Sequence, residues 1–286
     1  MNVGRLAPSP TGAQHLGNAK TYLLAYWSAR SSGSRIVLRI EDVDSPRVKP
    51  WAIDQAIEDL RWLGIDWDEG PDLGGDSAPY IQSRRMSLYR DALSRLIAAD
   101  QVFPCTCTRK DIEAAGSAPH FDHEGAVYPG TCSRWHRGDA VPPEGTFCWR
   151  FRATERSVSF TDRMLGPQQC VPATDLGAFP VTQKSGNPSY QLAVVVDDAA
   201  MGVTEVVRGD DLLASTFRQI DLYHALGLEV PTFAHVPLVL GADRRRLAKR
   251  HGDTRLSHYR DLGVPPESIV GWAAHSAGLA LSLIHI

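Results

Sequence analysis

Two hydrophobic rhythms alternate along the first hundred residues. A short apolar strand leads to Pro8, Pro10 and Gly12, which force a tight turn, and Tyr22, Leu23, Tyr26 and Trp27 then recur at helical spacing. A β-branched run over 34–40 follows the Ser31-Ser32-Gly33 break. Residues 50–63 place Ile53, Ala56, Ile57, Leu60 and Leu63 on one helical face, and 83–99 repeat that pattern. Strand-helix alternation predicts an α/β fold with a parallel sheet and covering helices. The rhythm then changes. Residues 103–136 read as a polar loop, and 147–207 as short strands with a turn at Gly186-Asn187-Pro188. Within that stretch 189–196 reads as a long β run ending in Asp197-Asp198, and 203–207 as a second one. A helix carrying Phe217, Ile220, Tyr223 and Leu226 is expected to end at Gly227, before an apolar strand over 233–240.

In a parallel sheet the ligand sits beyond the carboxyl ends of the strands. That rule draws together His15, in the first turn, and Glu41, Asp42 and Asp44, after the second strand. A helix that starts behind the turn aims its unpaired N–H groups at whatever fills it, which favours a phosphate, and Gly17 admits close approach to the backbone. The plainer alternative is a core strand-turn-helix with a stray histidine. Glu41, directly off the strand, can bind an ammonium, whereas Asp42 and Asp44 read better as solvated or helix-capping residues. Arg208, at a strand end before Gly209-Asp210-Asp211, suits a carboxylate, or else pairs with its acidic neighbours. Residues 244–251 carry six cationic side chains in eight positions, a loop for polyphosphate or nucleic acid if it is more than a solvated charge run.

Composition narrows the class. A chain of 286 residues with 43% hydrophobic content can bury the core of one large domain or two small ones. The formal net charge of -3 gives no global pull toward nucleic acid or membrane, so a polyanion must meet a local basic patch. No apolar signal core opens the chain and no run of about 18 apolar residues spans a bilayer, so the expected location is the cytoplasm, with no membrane partner. Five cysteines, an odd count, suit reduced thiols. Cys105, Cys107 and Cys132 read as ligands of one tetrahedral zinc, with Tyr128, His120, His123 and His136 all open as the fourth ligand. Three unrelated thiols are the alternative. Cys148 and Cys170 sit in apolar strand contexts and read as core.

Four of these motifs occur in one order: Pro8-Ser9-Pro10-Thr11-Gly12 with His15-Leu16-Gly17-Asn18, Arg39-Ile40-Glu41-Asp42, Val207-Arg208-Gly209-Asp210-Asp211 and Leu247-Ala248-Lys249-Arg250. Together they resemble the catalytic core of the glutamyl-type class I aminoacyl-tRNA synthetases, over about residues 3 to 278. Within that family, Cys105-x-Cys107 with Tyr128 and Cys132 is similar to the metal site of the truncated branch that joins glutamate to queuosine in the aspartate tRNA. Full-length glutamyl-tRNA synthetases that bind zinc place a histidine where Arg134 stands, and usually another after the acidic pair, where Leu212 stands. The chain departs from the family at Ala248, where a hydroxyl residue is usual, and in the long loop before Tyr128.

The resemblance implies a Rossmann-like catalytic domain in two halves, 1–102 and 137–240, around a zinc-binding insert, 103–136. A lysine-signature loop and a small α-helical C-terminal subdomain would occupy 241–280. Residues 281–286 match an in-frame sequencing-library end, so the natural chain is expected to continue past about residue 280. Implied roles are Arg5, Ser9, Glu41, Tyr190 and Arg208 for L-glutamate, and His15, Gly17, Asn18 and Lys249 for ATP with Mg2+, His15 and Lys249 being catalytic. One Zn2+ would sit on Cys105, Cys107, Tyr128 and Cys132. The implied acceptor is the aspartate tRNA carrying queuosine, met by the 244–250 loop with Arg255 and Arg260, and the implied state is a monomer. The competing readings are the catalytic part of a synthetase charging the 3′ end of the glutamate tRNA, and a non-catalytic tRNA- or metal-binding relic.

Overall fold

The computed structural model describes residues 2–43, 48–115, 126–241, 247 and 253–279. In chain order its elements are β1 (Val3–Leu6), α1 (Leu16–Ser31), β2 (Arg35–Leu38), α2 (Trp51–Trp62), α3 (Met86–Ala98) and β3 (Val102–Cys105). Next come α4 (Arg109–Ala115), β4 (Cys148–Phe151), β5 (Val158–Asp162), β6 (Gly166–Cys170), α5 (Pro172–Asp175), β7 (Phe179–Pro180) and α6 (Tyr190–Ala200). β8 (Glu205–Gly209), α7 (Leu213–Leu226), β9 (Thr232–Val236), α8 (Leu256–Asp261) and α9 (Pro266–Ser276) complete the order. The chain divides into two compact units: Met1–Ile81 with Val203–Asp210 and Ala234–Ile286, and Gln82–Gly202 with Asp211–Phe233.

The first unit is built on a βαβ crossover. β1 and β2 pair in parallel, Val3 opposite Arg35 and Leu6 opposite Leu38, with α1 between them in sequence. Gly4 lets that helix lie on the strand, since a Cβ there would fall 2.9 Å from the Cβ of Ala29. β8 lies against β1: Thr204 N–H donates to Val3 O at 2.9 Å and Arg5 Nη1 to Val207 O at 3.1 Å. β9 pairs with β8. Leu23, Ala29, Ile36, Leu38, Leu60, Val207, Leu256, Ile269 and Ala273 share one core, so α8 and α9 are packed into this unit with α1. The expected face of α2 is largely in place, with Ala56, Leu60 and Leu63 buried and Ile57 packed at the margin.

In the second unit β3, β4 and β7 form an antiparallel sheet, and β5 and β6 a hairpin. Cys148 and Cys170 are buried in β4 and β6, as expected of core residues. The long β run expected over 189–196 is instead α6. Burial of every residue from Leu192 to Asp198 removes the polar stripe that would have revealed helical spacing. The acidic end of that run is structural: the fully buried Asp197 accepts from Arg85 Nε at 2.6 Å, Tyr89 OH at 2.8 Å and Gln82 Nε2 at 2.9 Å, which fastens α3 to α6. α7 ends as expected, Gly227 taking a left-handed conformation with φ 62°. The strand expected over 233–240 is shorter, ending at Val236 before Pro237, which lacks an N–H for a ladder.

Candidate active site and thiolate cluster

His15 is the N-cap of α1. Its Nδ1 accepts from Gly17 N–H at 3.1 Å, while its own N–H donates to Asn18 Oδ1 at 3.2 Å. The group that approaches Gly17 closely is this same imidazole: a Cβ on Gly17 would lie 3.0 Å from His15 Cε1. An Nδ1 that accepts leaves the ring proton of a neutral imidazole on Nε2, so that nitrogen of His15 is a donor. The helix start differs from the expectation of N–H groups left for a ligand. Leu16 N–H donates to Thr254 O at 3.0 Å and Gly17 N–H to His15, and Leu256 N–H donates to Gln14 O at 2.9 Å. These bonds clasp the 14–16 turn to the segment that follows the basic loop. Lys249 and the rest of that loop's cationic run lie outside the described residues, as does Asp44.

The three strand ends beside this turn carry the charged groups singled out from sequence. Glu41 follows β2, its N–H donating to Pro8 O at 3.0 Å, and its Oε1 accepts from the fully buried Arg39 Nη2 at 2.9 Å. Arg5 is buried near the end of β1 and Arg208 near the end of β8. Arg5 Nη1 reaches the carbonyl of Val207, next to Arg208, and Arg5 and Glu41 both act on Tyr22, so two guanidiniums and a carboxylate gather in one region of the first unit. Tyr22 of α1 shares their field. Burial raises its pKa, Glu41's charge raises it further, and Arg5 opposes. Its hydroxyl donates to Gln14 Oε1 at 3.2 Å.

Other residues are placed less closely. Ser9 is exposed in the turn, its carbonyl accepting from Thr11 N–H at 2.9 Å. Asp42 is half-buried. Tyr190 belongs to the second unit, half-buried as the first residue of α6. Arg255 is occupied by Asp253, with Nε at 2.8 Å from Oδ1, and Arg260 by Asp59 at 3.5 Å. Two further buried residues of the first unit carry no motif. Lys20 is buried one turn past the cap, with Nζ 3.4 Å from Pro237 O and its pKa lowered by burial against the pull of Asp210. His235 of β9 is fully buried and accepts from Arg208 Nε at 3.3 Å. The available signal was a lone imidazole inside an apolar strand, which must find a partner once buried.

The second unit gathers the thiols. The sulfurs of Cys105, Cys107 and Cys132 all lie within 4.8 Å of one another. Tyr128 OH sits 3.4 Å from Cys105 Sγ and 4.0 Å from Cys107 Sγ, and accepts from Cys132 N–H at 2.8 Å. Thiolates bound at about 2.3 Å to a tetrahedral zinc stand about 3.8 Å apart. Cys107 and Cys132 are separated by 3.7 Å, so the donor set fits such an ion. Gly177 lets its loop press on this centre, since a Cβ there would meet Val127 at 2.8 Å. Arg150 covers the Tyr128 ring, 4.2 Å from its centroid.

The thiols are electrostatically unequal. A hydrogen bond from Cys148, which lies opposite in the β3–β4 ladder, together with Tyr128 and Arg150, outweighs burial and lowers the Cys105 pKa to about 4. Burial and the charge on Cys105 push Cys107 up to about 11. Several like charges in one site are stable together only around a cation. Among the other candidate ligands, His136 is turned to Asp100, its Nδ1 2.8 Å from Oδ2, while His120 and His123 lie outside the described residues.

A glutamyl-Q tRNA(Asp) synthetase of Rhodopirellula baltica is 59% identical over 97% of this chain and 85% of its own length. Its counterpart from Symbiobacterium thermophilum is 53% identical over 98% and 87%. Among solved structures, the glutamate tRNA ligase of Elizabethkingia meningosepticum, in complex with its amino acid, superposes with a TM-score of 0.79 at 29% identity. That match covers 96% of this chain, which spans only 60% of the solved ligase. The profile of the catalytic domain of class I tRNA synthetases (E and Q) matches residues 2–276, from β1 through α9, and the chain belongs to that family.

Proposed function

We propose that this chain activates L-glutamate with ATP and transfers it to the queuosine base in the anticodon of the aspartate tRNA, acting in the cytoplasm as a monomer. The observation that carries the reading is the gathering of buried Arg5, Arg208 and Glu41 in one region of the first unit. Two carboxylates and an ammonium, the charges of glutamate, are their complement. The names of the relatives more than 50% identical support the queuosine acceptor. Among the described residues no helix is long and apolar enough to cross a membrane.

Activation needs the glutamate α-carboxylate to attack the α-phosphorus of Mg-ATP in line, with pyrophosphate leaving. Arg5 and Arg208 hold the carboxylates, Glu41 holds the ammonium, and Ser9 and Tyr190 are assigned to the pocket wall. His15, with its proton on Nε2, donates to phosphate oxygens as their charge grows, and Gly17 and Asn18 fix the ring that does so. Lys249, outside the described residues, is assigned the same task from its motif. Catalysis of this kind is positioning and electrostatic stabilisation without a covalent enzyme intermediate. A hydroxyl of the queuosine ring then attacks the acyl carbonyl of the adenylate and AMP leaves. Cys105, Cys107, Cys132 and Tyr128 would hold one zinc ion, which when bound would crosslink a loop-rich segment.

The deciding experiment supplies labelled glutamate, ATP and queuosine-containing aspartate tRNA that lacks its 3′-terminal adenosine. Label on that tRNA is expected. Transfer only to intact glutamate tRNA would replace the reading with conventional 3′-end charging, and failure to bind ATP would leave a non-catalytic relic.

A further inference from the structure

Arg208 and His235 form a buried pair on neighbouring strands, with Arg208 Nε donating to His235 Nε2 at 3.3 Å. A guanidinium has donors only, so the nitrogen facing it carries a lone pair, and His235 is neutral with its ring proton on Nδ1. We infer that His235 is a positioning residue for substrate recognition, setting the rotation of the Arg208 guanidinium so that its terminal fork meets a substrate carboxylate. The inference rests on the proposed glutamate site.

Two physical arguments support it. A planar guanidinium pinned at Nε has its remaining donors fixed in direction, so less side-chain freedom is lost when a carboxylate is bound. The partner is also uncharged. Arg39, in the same unit, is held by the carboxylate of Glu41, which neutralises it locally. A carboxylate in the place of His235 would compete with the substrate for Arg208, whereas a neutral imidazole orients the cation without adding a competing negative charge.

The test compares His235→Phe, which keeps the ring and loses the acceptor, with His235→Gln, whose amide oxygen can reach the position of Nε2. In glutamate-dependent ATP–pyrophosphate exchange, His235→Phe should raise the KM for glutamate roughly tenfold or more, as expected for loss of an oriented charge-assisted contact, with the KM for ATP changed by less than about threefold. His235→Gln should recover most of that loss. Equal changes in both KM values, no change in either, or a glutamine variant no better than phenylalanine would overturn the inference. Nitrogen-15 NMR of the unmodified protein reads the pair without substrate and without variants. It should show His235 protonated on Nδ1 and a protected Arg208 Nε–H, and the opposite tautomer would also overturn the inference. A protein that binds no glutamate would remove the proposed function, and the NMR signals would still report whether His235 holds Arg208.

Discussion

Gly17→Ala separates the fold of α1 from the chemistry assigned to its cap. The added Cβ would lie 3.0 Å from His15 Cε1 and 3.1 Å from Nδ1, so the imidazole must retreat by several tenths of an ångström. Alanine within a helix is worth up to about 1 kcal/mol over glycine, while loss of the Nδ1 cap costs about 1 kcal/mol. The two terms nearly cancel. The urea midpoint should therefore move little, with a net change within about 1 kcal/mol. Catalysis has no such compensation: displacement of a positioned donor by up to about 1 Å can cost on the order of a hundredfold in rate. Pyrophosphate exchange at saturating substrates should show that fall in kcat with a nearly unchanged glutamate KM. His15→Ala should show a similar fall, and the double variant little more than either alone, because the glycine acts through the histidine. An exchange rate within threefold of the unmodified protein, or a rate loss matched by a stability loss, would refute the reasoning.

Further outcomes follow from other parts of the molecule. The purified protein should carry about one equivalent of zinc, measured by mass spectrometry, and chelation should raise protease sensitivity between residues 103 and 136. Tyr128→Phe should weaken zinc retention in a chelator competition, and unchanged retention would turn attention to His120 or His123. Asp59 is buried in α2 with neither carboxylate oxygen hydrogen-bonded among the described residues, and burial raises its pKa from 3.8 to about 6. Its native state therefore holds a proton that the unfolded chain has already released. The fold should lose stability as pH rises from about 4 to about 6, by on the order of 2 to 3 kcal/mol, and Asp59→Asn should flatten that slope in urea titrations. Glutamine should drive pyrophosphate exchange at least about a hundredfold less well than glutamate, since an amide leaves an arginine charge unpaired in the pocket.

Much of the fold was legible in the sequence because its signals are local. The Pro8, Pro10 and Gly12 turn, the amphipathic face of α2 and the Cys105-x-Cys107 pair each announce themselves within a few residues. The left-handed end of α7 did so through Gly227 alone. α6 was misread because the apolar run 192–196 carries no periodicity once every side is buried, and β-branched valines tip such a run toward a strand. Its Asp197-Asp198 end looked like a strand terminus, but the donors that make Asp197 a core residue come from Gln82, Arg85 and Tyr89, far earlier in the chain. The same limit hid His235. Motif order pointed to Arg208, but which group stands behind a guanidinium is decided by strand neighbours that sequence spacing does not encode. The capping role of His15 was missed for a different reason: the motif suggested a ligand contact, and an imidazole can serve helix and ligand with its two nitrogens.

The clasp between the 14–16 turn and residues 254–256 also orders events in time. Its partners are far apart in sequence, and contacts of such separation close late in folding, after local helices and hairpins have formed. During synthesis α1 emerges long before α8 and α9, which complete the core it packs into. Until then the apolar face of α1 awaits its cover and Leu16 N–H awaits Thr254. The histidine mouth thus matures with α8 and α9, and a nascent or prematurely ended chain would present the signature residues without the support that makes them a site.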